Sequence, residues 1–286
     1  MTAKYYKGII TLILTFAAVI AGFTQDLSYN FGLQQPQDPS TLPLSLVTTQ
    51  LPDRKSKTVI PALLQQVSET EFILSSGWEM AEAEKVTGAG KSLFSPEFNT
   101  SGWYNATVPG TVLTTLVDQG VYPDPYFGLN NLAIPETLSR TEWWYRVPLK
   151  LPEKSSGKTV WLLFNGINYR ADIWLNGQLL GHISGAFIRG KFDATGVINA
   201  EGLNILAVHI YPPYNPGIPH EESLKTGAGP NGGQLCLDGP TFISSEGWDW
   251  VPAIRDRNIG IWQDVRLRLT NDITIEDPQI ITDLPL

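Results

Sequence analysis

The chain has 286 residues, of which 26 are Gly and 21 are Pro, a density of interrupters that excludes long helical bundles and coiled coils. Apolar residues make up 42% and charged residues 17%, with 9 Trp, 10 Tyr and 11 Phe, which excludes a disordered chain. The formal charge of −8 repels a phosphate backbone, so nucleic acid is not an expected partner.

The first residues read as a targeting segment rather than as fold. Lys4 and Lys7 make a basic start, Gly8 to Ala21 is an uncharged run of 14 residues, and small residues followed by Gln25-Asp26 close it. That is the pattern of a secretory signal peptide over residues 1–24. A membrane anchor is the alternative, but crossing a bilayer takes roughly 20 apolar residues, and Thr24, Gln25 and Asp26 stop this run early. The expectation is export to a periplasmic or extracellular space, with no membrane attachment after cleavage. Cys236 is the single cysteine; it permits no internal disulfide, so stability falls to the hydrophobic core.

Residues 25–69 are polar and broken by proline, and read as a lead-in or linker with one short stretch, near Ile60 to Val67, that has helical character. Beyond it the apolar period becomes two. Thr111 to Gln119, closed by Gly120, is the one helical pattern there and follows the turn Val108-Pro109-Gly110. Tyr145 to Leu151, Val265 to Leu269 and Ile273 to Ile275 alternate apolar with polar residues, as strands with one buried face do. Thr159 to Phe164 and Ile205 to Ile210 are continuously apolar, as strands covered on both faces are. Ile173 to Leu180 predicts a hairpin with Asn176-Gly177 at its turn, the pair that tolerates two positive φ angles.

Many short strands with one or two short helices and long loops describe an all-β antiparallel β-sandwich, a jelly roll, over residues 70–270. Residues 271–286 start a further strand without a partner, and read as the truncated beginning of a following module.

His182, His209 and His220 show no metal-ligand spacing, and one cysteine builds no zinc site. No metal and no cofactor are expected, and His209, inside an apolar strand, reads as a packed core residue. There is no Gly-x-Ser-x-Gly elbow. The Gly-rich stretch from Gly227 to Gly233 lacks the Gly-Lys-Ser/Thr ending of a phosphate loop and reads as an ordinary loop.

Gly247-Trp248-Asp249-Trp250 is the most informative segment. Trp248 and Trp250 flank Asp249 in a loop rich in Gly and Pro, which supplies flat apolar faces for a pyranose ring and a charged acceptor for its hydroxyls. Two core tryptophans around a turn-capping aspartate fit the same residues equally well. Downstream, Arg255-Asp256-Arg257 offers a cluster able to hold the loop rigid by bidentate pairing, or an ordinary solvated charge run.

Several long motifs fall in one order: Thr107-Val108-Pro109-Gly110-Thr111, Asp124-Pro125-Tyr126-Phe127-Gly128-Leu129-Asn130, Trp143-Trp144-Tyr145-Arg146, then Gly166 to Gly177 (GINYRADIWLNG). Gly247-Trp248-Asp249-Trp250-Val251-Pro252 and Gly260-Ile261-Trp262-Gln263-Asp264-Val265 complete the series. In these the chain closely resembles the N-terminal domain of glycoside hydrolase family 2, in the subgroup of exo-β-glucosaminidases and β-mannosidases. The resemblance implies a galactose-binding-like jelly roll followed by an immunoglobulin-like sandwich and a TIM barrel. It further implies hydrolysis of a β-linked glycan with retention by two glutamates on the barrel. Such a barrel takes about 250 residues of alternating strand and helix, a pattern absent from this sequence, so no catalytic residue is expected here. By the same resemblance Asp249 binds sugar hydroxyls, with Trp248 and Trp250 as the wall, in a substrate-positioning role.

Two readings of function remain. One is a non-catalytic leading fragment of an exported family 2 glycosidase, partnered by the immunoglobulin-like and barrel domains of the same polypeptide. The other is a stand-alone carbohydrate-binding or interaction module.

Overall fold

The computed structural model describes residues 63–86, 90–128, 130–214, 216–218, 234–235, 254, 256–275 and 278–284. In chain order the strands are β1 (Leu64–Gln66), β2 (Glu71–Leu74), β3 (Glu79–Glu82), β4 (Tyr104–Asn105), β5 (Trp143–Leu149), β6 (Thr159–Phe164) and β7 (Arg170–Leu175). They continue with β8 (Gln178–Ser184), β9 (Gly190–Asp193), β10 (Asn204–Tyr211), β11 (Gly217–Ile218), β12 (Gln234–Leu235) and β13 (Val265–Thr270). Among the described residues one α-helix, α1 (Val112–Asp118), joins them.

Two antiparallel sheets form the sandwich expected from the period-two segments. One is five-stranded in the order β1-β2-β13-β6-β9, the other six-stranded in the order β4-β3-β5-β10-β7-β8, and β11 pairs with β12 apart from both. Alternation decides what faces inward. Phe72 and Leu74 of β2, Leu162 and Phe164 of β6, and Leu267 and Leu269 of β13 line one inner face. Tyr145 and Val147 of β5, Leu206, Val208 and Ile210 of β10, and Ile173 and Leu175 of β7 line the other, and all belong to one buried cluster.

Local signals place the connections. Asn176 and Gly177 take φ of 50 and 83° between β7 and β8, the two positive angles that a two-residue hairpin needs. The Asn176 side chain also accepts from the Ile205 N–H at 2.9 Å and donates to Asn204 Oδ1 at 2.8 Å, tying the turn to β10. Helix α1 begins where Thr111 Oγ1 accepts from the Thr114 N–H at 3.1 Å, and it buries Val112, Leu113, Thr115 and Leu116. It ends at Gly120, whose φ is 72°.

Three expectations are corrected. The helical character near Ile60 to Val67 gives way to strand β1, which pairs residue by residue with Leu74, Ile73 and Phe72. The free edge of β2 supplies backbone partners that a short helix lacks, and Leu64 packs against the core while Gln65 and Gln66 stay exposed. The strand at Ile273 to Ile275 does not form: those residues pair with no strand among the described residues, and the two isoleucines are 88% and 83% exposed.

His209 is the third correction. Its neighbours Val208 and Ile210 point into the core, so period two sends the imidazole to the outer face of the six-stranded sheet, half-buried. There it stacks on Trp144 of the adjacent strand, with ring centres 4.3 Å apart and planes 9° apart. The rest of that outer face is partly roofed. Val86, Leu93 and Trp103 form a small second cluster with Ala81, and buried Arg146 donates to the carbonyls of Leu93 and Ser95 at 3.1 and 2.7 Å. This roof is why the first residues of β10 are buried on both faces.

Candidate functional site

Trp248, Asp249 and Trp250 lie outside the described residues, as do Arg255 and the Gly227 to Gly233 stretch. The structure does describe the chain that leads out of that loop, Ile254 and Asp256 to Trp262, and shows what holds it.

Asp256 is 3% exposed. Its Oδ2 accepts from the Thr111 hydroxyl at 2.9 Å and its Oδ1 from the Asn258 N–H at 2.8 Å. One hydroxyl, that of Thr111, therefore caps α1 and anchors the loop root. Burial pushes the Asp256 carboxyl above the usual carboxylate range, and the two hydrogen bonds and the Arg257 charge offset this only in part. Committed to these two donors, Asp256 anchors the loop root.

Arg257 is buried with no side-chain exposure. Its Nη1 and Nη2 donate to Glu136 Oε1 and Oε2 at 3.1 and 2.7 Å, and its Nε donates to the Pro216 carbonyl at 2.7 Å. This is the bidentate geometry for which a guanidinium is suited. Arg257 and Asn258 both take left-handed backbone angles, with φ of 55 and 53°, a conformation that costs about 1–3 kcal/mol per residue and persists only where surroundings enforce it. Enforcement comes from Asn168, 1% exposed, whose Nδ2 donates to the carbonyls of Arg257 and Asn258 at 2.9 and 3.0 Å.

Hydrogen bonds join the neighbouring loops into one rim. Gly110 N–H donates to the Ile261 carbonyl and Val112 N–H to the Ile259 carbonyl, each at 2.8 Å. Asn168 and Gly260 exchange backbone bonds of 2.9 and 3.0 Å, and Gly185 N–H reaches the Tyr169 carbonyl at 2.8 Å. Trp262 Nε1 donates to the Ala186 carbonyl at 2.9 Å. Gly260 fits this crossing because its φ is 150° and a Cβ there would lie 2.7 Å from the Gly110 carbonyl oxygen. Beside the root, a cavity of about 230 Å³ opens between α1 and the Asp124-Pro125-Tyr126 turn, lined by Asp118, Asp124, Tyr126 and Ile254 among others. Tyr126 is 83% exposed there.

The cluster expected at Arg255 to Arg257 is thus a buried clamp at Asp256 and Arg257 and not a solvated charge run. Nothing local marks Glu136, Thr111 and Asn168 as its partners, since each pairs with residues about a hundred positions away. Among the described residues no three His, Cys, Asp or Glu side chains converge to hold a metal.

Residues 78–263 match the family described as the glycosyl hydrolase 2 galactose-binding domain-like family. A mannosylglycoprotein endo-beta-mannosidase of Lilium longiflorum is 37% identical over 222 residues, covering 73% of this chain and 22% of that protein. An exo-beta-D-glucosaminidase of Streptomyces avermitilis is 29% identical over 213 residues, covering 73% and 20%. Among solved structures, the Amycolatopsis orientalis exo-chitosanase superposes with a TM-score of 0.52 at 26% identity, covering 68% of this chain and 20% of that one. The chain spans about a fifth of the length of the curated relatives it matches.

Proposed function

The chain belongs to the glycosyl hydrolase 2 galactose-binding domain-like family, and from that premise we propose that it is the sugar-facing N-terminal domain of an exported retaining β-glycosidase. The substrate class is a β-mannoside or a β-glucosaminide, the two specificities that the names of its relatives carry. Asp249 binds hydroxyls of the sugar beside the scissile bond, and Trp248 and Trp250 wall the ring. The two catalytic glutamates stand on a barrel elsewhere in the same polypeptide, about 5 Å apart as retention requires, and an immunoglobulin-like domain lies between.

The observation that carries this reading is the clamp at the end of the loop. Asp256, Arg257 and Asn258 are fixed to three other segments of the rim. A loop that positions substrate has to be held to a fraction of an ångström by surrounding contacts, because small misplacement erodes catalysis. Such investment in a segment with two left-handed residues belongs to a loop that works.

The test is substitution of Asp249 in the polypeptide that carries this domain together with a barrel, assayed on aryl β-mannoside and aryl β-glucosaminide. Asp249→Ala is expected to lower kcat/KM roughly a hundredfold while leaving the melting temperature unchanged. Unchanged kinetics on the substrate that the enzyme prefers overturns the role of Asp249. Detectable glycan binding by a chain whose reading frame closes without a barrel points instead to the stand-alone module.

A further inference from the structure

Outside the rim, the outer face of the six-stranded sheet carries a concentration of aromatic and ionisable groups that the proposed function does not use. Register fixes their placement. Ala81, Trp144, His209, Asp172 and His182 are direct cross-strand partners in one row over β3, β5, β10, β7 and β8. In the next row Arg170 lies between Tyr211 and Ser184. A solvated sheet face is ordinarily small, β-branched or charged, and a run of Trp, His, Tyr and Arg on one is the composition of a binding surface.

The side chains are ordered by one another. Trp144 and His209 stack nearly parallel, His209 meets Tyr211 at 4.3 Å between ring centres, and Phe94 meets Trp144 edge-on at 6.2 Å. Rings stacked across strands stand upright on the sheet, so that their edges face outward; an aromatic edge carries the positive end of the ring quadrupole and attracts hydroxyl oxygens. Asp172 is held between the Tyr211 hydroxyl at 2.9 Å and His182 Nδ1 at 2.5 Å. Arg170 lies 3.6 Å from the Tyr214 ring centre and donates to the Pro212 carbonyl at 3.0 Å. Its guanidinium backs one face of Tyr214, which is 73% exposed, and the opposite face of that ring is left as an open platform.

Trp144 and His209 floor a cavity of about 560 Å³ whose walls are Glu84, Arg140, Thr141 and Glu142. That volume is within the range of small-ligand sites, roughly 300–1,000 Å³. The walls offer carboxylates as acceptors, a guanidinium and a hydroxyl as donors, over an aromatic floor. A ring with several equatorial hydroxyls and an apolar face satisfies all of these together.

We propose that this outer face is a second carbohydrate-binding site, taking a β-linked oligosaccharide with one residue in the Trp144 and His209 cavity and another stacked on Tyr214. It stands on residues separate from Asp249 and is independent of whether that aspartate serves catalysis. Glu142 and Glu84 accept from ring hydroxyls, Arg140 donates, and the site holds glycan without cleaving it.

The chain as given is titrated with β-1,4-linked mannotetraose and, separately, with the β-1,4-linked glucosamine tetramer, following the Trp144 indole and His209 ring signals by NMR. Saturable shifts of those signals with at least one oligosaccharide below about 10 mM are expected. Because Trp144→Ala disturbs the cluster with Phe94, and Glu142 pairs with His209 Nε2 at 3.0 Å, the deciding variants are Glu84→Ala and Tyr214→Ala, both at exposed side chains. Each is expected to weaken binding at least about tenfold with the thermal midpoint kept, whereas Asp249→Ala leaves these shifts in place. No saturable shift on this face with either oligosaccharide, or shifts indifferent to both variants, overturns the proposal. Loss of shifts on Asp249→Ala alone also overturns it, since the ligand is then held at the rim.

Discussion

Arg257 donates from both terminal nitrogens to the two carboxylate oxygens of Glu136, 121 positions earlier in the chain, at 3.1 and 2.7 Å. The guanidinium has no exposure and the carboxylate keeps 26%, so the cation is paired inside the protein, with this carboxylate and with the Pro216 carbonyl. Removing one member of a buried pair leaves an uncompensated charge, at a cost of about 3–5 kcal/mol. The exposed side of Glu136 admits water, so Glu136→Ala is expected at the lower end of that range. Glu136→Gln keeps one acceptor and is expected to lose less than half as much. Urea denaturation of both variants measures this, and equal losses would show that the charge, which both variants remove, and not the retained acceptor is what matters at the site.

Gly260 is the second point at which the rim is irreplaceable. A methyl group there meets the Gly110 carbonyl oxygen and the Thr111 Cα, both at 2.7 Å, and these are backbone atoms that cannot swing away. Gly260→Ala is expected to destabilise by about 1–3 kcal/mol, and to loosen α1 because Thr111 caps it. Amide exchange at Thr114 and Thr115 reports the helix start directly. Protection kept at both amides would refute the coupling between rim and helix.

His209 gives the fold a pH dependence whose sign follows from its surroundings. Burial lowers its pKa from the ordinary 6.5, and the nearby Glu142 and Asp172 carboxylates oppose that only in part. A histidine whose folded pKa is depressed binds its proton more readily when unfolded. Its contribution to stability is therefore complete above about pH 6.5 and is lost as pH falls from there toward the folded value. The melting temperature is expected to drop between about pH 7.5 and pH 5.5 more steeply in the unaltered chain than in His209→Gln. Parallel curves would mean that the imidazole titrates alike in both states.

What the sequence made legible was whatever depends on neighbours in the chain. Asn176-Gly177 and Gly120 mark their turn and helix end because positive φ is a local demand, and Thr111 marks the start of α1 because its hydroxyl caps the Thr114 amide. Strand β13 coincides with its alternating pattern and β6 with its continuously apolar one, although Thr159 and Trp161 stay part-buried, so the outer face of β6 is covered only in part. Long-range dependence hid the rest. Leu64–Gln66 is a strand because β2 offers it a free edge, and Ile273 to Ile275 finds no pairing strand among the described residues. His209 was assigned to the core by the company of its neighbours, although period two already placed it opposite Val208 and Ile210. Of the candidate site, the charge cluster at Asp256 and Arg257 was visible, while nothing local showed Glu136 and Asn168 to be its partners.

Asp256 carries the last prediction, because its two roles pull in opposite directions. As an acceptor it fastens Thr111 and the Asn258 amide; as a buried anion it opposes folding, and its pKa is raised above the ordinary 3.8 chiefly by that burial. A carboxyl with a raised folded pKa binds its proton more readily in the folded state, so this group favours folding at acid pH and that advantage is lost as pH rises through the folded value. Asp256→Asn keeps a carbonyl oxygen to accept from the Asn258 amide and discards the charge, while Arg257 retains Glu136. The variant is expected to unfold within about 1 kcal/mol of the unaltered chain at neutral pH. It is expected to lack the acid-side gain in the window between 3.8 and the raised value, so that it compares less favourably there than at neutrality. Asp256→Ala, which leaves the Asn258 amide and the Thr111 hydroxyl without an acceptor, is expected to lose about 2–3 kcal/mol at either pH. Denaturant midpoints for the three proteins at two pH values measure all of this, and an Asn variant as unstable as the Ala variant would show that the negative charge itself holds the loop root.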